Sequence, residues 1–345
     1  MPCFNLRRLA VTTSLVLVSI GVATAQTSNA SPNSGAATGG AASPVASTMP
    51  YPVWAYLWDT SFTVPAADDL PQRVPGSNAT FSWNNARDLF FVPDWHPQDH
   101  GPMPAVVAQG RKPDVRACAS CHRAQGTGGP ENAILAGLPA AYILQQLLDY
   151  RSGARKSSGP VRIGVTLMVT AAKAMTDDEI RSAANYFAAL KPQQNIKVIE
   201  ADTIPKVVVA RLFYVKDPKG GTEPLGKRIV EVPNDTDQFE LRDSRSQFTA
   251  YVPPGSVAKG ETLVKTGGAG ITTACATCHG ADLKGVGPFP GIAGRFASYT
   301  MRQLFDFKHG ARAGALGIAL MKPAVEKMSE DDMLSVAAYL ATLAP

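Results

Sequence analysis

Helical periodicity of apolar and polar positions appears at two matching places in the chain. Ile180, Ala183, Ala184, Phe187 and Leu190 recur at three- and four-residue spacing, as do Met333, Val336, Ala337, Leu340 and Leu343. Each set predicts an amphipathic helix that closes a helical unit. Thr176-Asp177-Asp178-Glu179 reads as a capping box before the first, and Ser329-Glu330-Asp331-Asp332 places acids in the first turn of the second, where the helix dipole favours them. Pro139 opens an earlier helix with Tyr142, Leu144, Leu147 and Leu148 largely along one face. Val106 to Gly110 resembles Val257 to Gly260; both should begin N-terminal helices on which the closing helices pack. Residues 193–254 change period: Lys206 to Val215 and Arg228 to Val232 are β-branched or aromatic runs separated by Asp217-Pro218-Lys219-Gly220-Gly221. They predict a small antiparallel insert, read as a spacer in preference to a docking platform. The charged segment Glu240 to Arg245 is expected to be a solvated turn.

The helical units are copies of one another. A shift of 157 positions, from 118 to 275, lays Leu135-Ala136-Gly137 on Ile292-Ala293-Gly294, Tyr142 on Tyr299, Gln146 on Gln303, Asp149 on Asp306 and Gly153-Ala154-Arg155 on Gly310-Ala311-Arg312. A shift of 153, from 168 to 321, then lays Met168 on Met321, Met175 on Met328 and Phe187 on Leu340. Self-similarity of this length predicts two tandem copies of one mainly α domain, over residues 105–192 and 255–345.

Both copies carry the same chemistry at the head of the aligned block. Cys118-Ala119-Ser120-Cys121-His122 returns as Cys275-Ala276-Thr277-Cys278-His279. Two thiols at this spacing can add to the two vinyl groups of one porphyrin, and the histidine after them is held beneath the iron as the proximal ligand. Two disulfides would leave a histidine after both pairs unexplained. Zinc would want four nitrogen or sulfur ligands, and the only further histidines are His96, His100 and His309. The expected cofactors are two covalently bound haem c groups with their irons.

The rest of the chain is read around these domains. Arg7 and Arg8, the apolar run to Val22 and Ala23-Thr24-Ala25 have the form of an export signal over residues 1–25. Residues 26–50 are rich in Ser, Ala, Gly, Thr and Pro and predict a disordered linker. Residues 51–104 hold Tyr51, Trp54, Tyr56, Trp58, Trp83 and Trp95 among many prolines, with no sustained period; an irregular extension packed on the first haem domain is expected. His96 and His100 in it are expected to be ordinary loop histidines. After signal cleavage no apolar run is long enough to span a bilayer, and thioether haem attachment is an extracytoplasmic chemistry, so a periplasmic protein is expected. The formal charge of +5 falls to about +3 without the signal, and about four haem propionate charges bring the holoprotein near neutrality. Nothing in the sequence suggests nucleic-acid binding.

Met168 and Met321 are the candidates for the sixth iron ligand. Each has a rival seven positions later, Met175 or Met328, directly before a helix cap, where a hydrophobic staple is expected. An irregular loop from Arg151 should deliver Met168 to the face opposite the histidine, and the loop methionine is preferred in both copies.

With the CxxCH motifs, the Leu/Ile-Ala-Gly stretches, the Gln-Leu-x-Asp-x-x-x-Gly-Ala-Arg segments and the methionines before Ser/Thr-Asp/Glu helix starts in view, the chain resembles the diheme cytochromes c made of two tandem class I domains, the c-four kind. The resemblance covers roughly residues 105–192 and 255–345. It implies the axial pairs His122 with Met168 and His279 with Met321, and a Gly-Pro carbonyl holding each imidazole, for which Gly129-Pro130 and Gly287-Pro288 stand, one residue differently spaced. The aromatic extension and the β-rich insert depart from that pattern.

An iron held by histidine and a methionine thioether has no vacant position, and the soft sulfur favours its reduced state. The expected function is single-electron transfer between redox partners, a dehydrogenase or quinol-linked donor and an oxidase or reductase acceptor, and not enzymatic catalysis. The alternatives are a cytochrome subunit resident in a dehydrogenase or oxidase complex, and a diheme peroxidase, which the equivalent methionines argue against.

Overall fold

The computed structural model describes residues 50–345 except 60, 62–65, 160 and 161. The expected signal and most of the expected linker lie outside the described residues. Each repeat contributes five helices in the same order. The first has Ala105–Ala108, Cys118–His122, Ala140–Ser152, Ile163–Ala174 and Asp177–Ala189; the second has Ser256–Thr266, Ala276–His279, Ala297–Lys308, Ala315–Val325 and Glu330–Thr342.

The closing helices begin as their sequences dictate. The Thr176 hydroxyl accepts from the Glu179 N–H at 3.2 Å while the Glu179 carboxylate accepts from the Thr176 N–H at 2.7 Å. Ser329 and Asp332 make the same reciprocal pair, so a shorter acid closes the second box as well. In the second repeat the closing helix packs along the whole of Ser256–Thr266, closely enough that a Cβ on Gly260 would overlap the Ser335 carbonyl. In the first repeat the N-terminal helix is one turn long, and the closing helix packs chiefly on Ala140–Ser152.

Residues 193–254 are β-rich, with two departures from expectation. Lys206 to Val215 is not one strand. Val207–Ala210 and Phe213–Lys216 pair antiparallel as a hairpin, turned at Arg211 with a left-handed φ of 58°. Ile196–Glu200 pairs parallel with Phe248–Val252, which pairs antiparallel with Val230–Pro233, because the chain crosses between the first and last strands instead of turning directly back. The sheet feeds both haem domains: Ile196, Phe213, Phe239, Phe248 and Ala250 join the first core, Ile229 and Val252 the second. Edge-to-face rings run Phe213, Phe239, Phe248, Phe296 at centroid spacings of 4.9, 5.1 and 4.8 Å.

Glu240 to Arg245 is not a solvated turn. Leu241, Asp243 and Ser244 are buried, and Asp243 bonds the buried His96. The extension also departs from its expected place, since it serves both repeats. Tyr56 packs edge-on against Phe305 and donates to Asp306 at 2.8 Å in the second repeat. Val74, Ala86 and Trp95 pack with Leu241, and the Leu89 carbonyl accepts from Ala117 beside the first haem motif.

Candidate haem sites

Both CxxCH motifs fold as short helices, Cys118–His122 and Ala276–His279 with Cys275 at its N-cap. The four motif cysteines are half-buried, and none is joined to another in a disulfide. Burial pushes the Cys118 thiol up to about 12 and the Cys275 thiol to about 11, because the thiolate is poorly solvated there; both stay uncharged.

The two histidines are held alike. The His122 Nδ1 lies 2.9 Å from the Ala133 carbonyl and the His279 Nδ1 2.8 Å from that of Pro290. Each carbonyl belongs to the residue eleven positions after its histidine. The bond places the proton on Nδ1 and leaves Nε2 as the free lone pair, the arrangement a metal-bound imidazole needs. Burial drives His122 down to about 4 and lowers His279, with the carbonyl bond opposing in each case. The rings are therefore neutral. The Gly-Pro expectation is corrected on this point: Pro130 turns its carbonyl to Arg302 at 2.6 Å, and Gly287 and Pro288 are exposed.

Met168 and Met321 are half-buried and packed against the first and second cores. They stand within the helices Ile163–Ala174 and Ala315–Val325, not on irregular loops. The segment from Ile163 is apolar and, past Gly164, contains no breaker, so it continues as helix. Met175 and Met328 are 5 % and 2 % exposed, directly ahead of the capping residues, which is the setting of a staple. His96 and His100 bond carboxylates: His96 Nε2 lies 3.0 Å from Asp243 and His100 Nε2 3.1 Å from Asp94.

The repeats meet through equivalent residues. Lys156 donates its N–H to the Ala311 carbonyl and Ala313 its own to Ala154, so Arg155 and Arg312 face each other as an isolated antiparallel bridge. The Gln146 Oε1 accepts from Arg155 at 2.8 Å and Arg312 at 2.6 Å; the Gln303 Oε1 accepts from Arg155 at 2.9 Å and Arg312 at 3.3 Å. Arg155 donates to Tyr299 and Arg312 to Tyr142, each at 3.2 Å. The sequence alignment had paired these residues without revealing that they touch across the boundary.

Arg162, Arg295 and Arg302 are also buried, and among the described residues none of the five arginines ion-pairs with a carboxylate. Burial lowers Arg162 to about 9 and Arg295 to about 10, and the Arg162 Nε has no partner. Glu131 and Asp306 act on Arg162, and Glu231 and Asp306 on Arg302, but none within ion-pair distance; buried cations in this state are costly, and haem propionates would supply the missing contacts. Paired cysteines outside any disulfide, histidines offering Nε2 and buried arginines without an ion-pair partner together fit two haem c groups.

These features define a protein of two tandem c-type haem domains. The cytochrome c family matches residues 107–191 and 257–344. The chain belongs to that family, as a diheme, c4-like member with two covalently bound haem c groups. A cytochrome c4 of Azotobacter vinelandii is 31 % identical over 37 % of this chain and 70 % of its own. A thiosulfate dehydrogenase electron acceptor of Thiomonas intermedia is 27 % identical over 66 % of this chain and 79 % of its own. A solved Acidithiobacillus ferrooxidans cytochrome c4 aligns with 66 % of this chain and 98 % of its own at 24 % identity, with a TM-score of 0.44. The chain is thus an electron carrier by family. No helix among the described residues is long and apolar enough to cross a membrane.

Proposed function

We propose that this protein is a periplasmic one-electron relay in which His122 with Met168, and His279 with Met321, are the axial pairs. When bound, each haem supplies a one-electron iron couple. The chain's part is to fix the ligands and exclude others. Ala133 and Pro290 hold the imidazoles by Nδ1, and Met168 and Met321 would offer each bound haem a soft sulfur, which raises the potential. The observation that carries the reading is repeated in both copies: Met168 and Met321 are half-buried against the haem-domain cores, while Met175 and Met328 are taken up as staples at 5 % and 2 % exposure. A haem so held would have no position left for peroxide.

The periplasmic placement draws on the N-terminal export pattern and on the extracytoplasmic chemistry of thioether attachment. The partners are redox proteins, a dehydrogenase or quinol-linked donor and an oxidase or reductase acceptor. A place as the acceptor of a thiosulfate dehydrogenase is favoured by the relative so named, which aligns with two-thirds of the chain. Spectroelectrochemical titration of the holoprotein tests the reading. It should show two low-spin, one-electron steps; a substantial high-spin fraction as isolated would contradict it.

A further inference from the structure

The two haem motifs share sequence, local fold and histidine geometry, but not their exposure. Residues 117–130 are buried, apart from the half-buried Cys118 and Cys121. The insert and the extension cover them. Arg242 donates to the carbonyls of Ser120 and Ala86, and Gln125 donates its N–H to Ser244 at 3.2 Å and its amide to Asp99 at 2.9 Å. The Phe239 ring presses on Gly129, where a Cβ would stand 2.9 Å from it.

In the second repeat the same stretch is open. Thr277, Asp282, Lys284 and Pro288 are exposed, and Val286 keeps 55 % of its surface, rare for a large apolar side chain here. Thr272, just ahead of the motif, donates to the Ala324 carbonyl at 2.7 Å. That bond brings the end of the methionine helix alongside, with Lys322 and Lys327 exposed.

A porphyrin's thioether edge lies at its cysteines, and electron transfer between proteins weakens steeply with edge-to-edge distance. The motif open to solvent is therefore where a partner approaches closest. We propose that donor and acceptor, both one-electron redox proteins, use the second motif's face alone, around Val286 and Pro288, and that each offers an apolar patch to it. A small contact of this kind suits a transient encounter. The first motif, closed by residues 239–244 and the extension, exchanges electrons only through the second. This inference rests on both motifs carrying haem, as above.

Two measurements on the full-length holoprotein test it. A neutral gadolinium chelate added to the reduced protein should broaden the NMR signals of the haem at Cys275 and Cys278 more strongly than those of the haem at Cys118 and Cys121. Equal broadening would overturn the proposal. In stopped-flow oxidation, one electron passes from the protein to hexacyanoferrate(III), an anion whose rate senses local charge. At low ionic strength, Lys284→Glu should slow the reaction roughly tenfold, an effect that added salt abolishes. Asp237→Lys, an equal and opposite charge change on the helix Thr236–Glu240 beside the closed motif, should change the rate less than about twofold on the same grounds. An effect of Asp237→Lys matching that of Lys284→Glu would also overturn it. A stoichiometry of one covalently bound haem in the unaltered protein would instead fail the two-haem reading itself.

Discussion

The two haem domains share one sequence pattern and differ in what surrounds them. The second rests its closing helix on its own N-terminal helix, Ser256–Thr266, which runs 11 residues, and its motif faces outward. The first has only a single N-terminal turn, Ala105–Ala108, and borrows its outer wall from elsewhere in the chain. Residues 86–99 and 239–244, more than a hundred positions apart, meet over its CxxCH helix. Equivalent CxxCH motifs thus sit in unequal surroundings, and covalent attachment constrains the motif without fixing its environment.

Several substitutions break or sharpen that contrast. Phe239→Ala should have the largest effect. The ring is 1 % exposed and joins Phe213, Phe248 and the Arg123 guanidinium at 4.5 Å, so its loss should cost about 4 kcal/mol. Guanidinium-induced unfolding would measure the cost, and hydrogen exchange should rise over residues 117–130 while residues 275–290 stay as they were. Gly260→Ala is the counterpart in the second domain. Its Cβ would crowd the Ser335 carbonyl and stand 2.8 Å from the Tyr339 Cβ, costing about 3 kcal/mol. Here hydrogen exchange should rise along Glu330–Thr342 and leave Asp177–Ala189 unchanged.

The smallest effect is one the domains share. The Arg111 bond holds the Glu179 carboxyl below its ordinary 4.5. Burial pushes Asp332 up, but the bonds from Lys259 and Ser329 outweigh it and leave it below 3.8. A carboxyl lowered by folding stabilises the native state above its unfolded value, and that stability is lost as pH falls through the lowered one. Both domains should therefore weaken below about pH 4. Glu179→Gln should flatten the acid limb of a stability titration in the first domain by about 1 kcal/mol, leaving that of the second.

Much of this architecture was legible in the chain. Covalent haem attachment demands one spacing, so Cys118, Cys121 and His122 and their copies stood out. The closing helices showed because one face is buried and the other wet. What escaped depends on partners distant in sequence. Glu240 to Arg245 looks solvated by composition, but Asp243 finds His96 and Arg242 finds Ser120. The run Lys206 to Val215 gave no sign of its turn, since an arginine at positive φ marks no sequence. Ile163–Ala174 is apolar nearly all round and shows no amphipathic stripe, which hid the helix carrying Met168. The carbonyls of Ala133 and Pro290 act through the backbone, where residue identity says little.

The central claim is that sulfur from Met168 and from Met321 completes the two iron centres. Its most direct test is a redox titration with haem spectra on Met168→Ala and Met321→Ala separately. Each variant should lose the thioether signature from one haem, lower that haem's potential and leave the other unchanged. Retention of both signatures in either variant, with loss in Met175→Ala or Met328→Ala instead, would contradict the account.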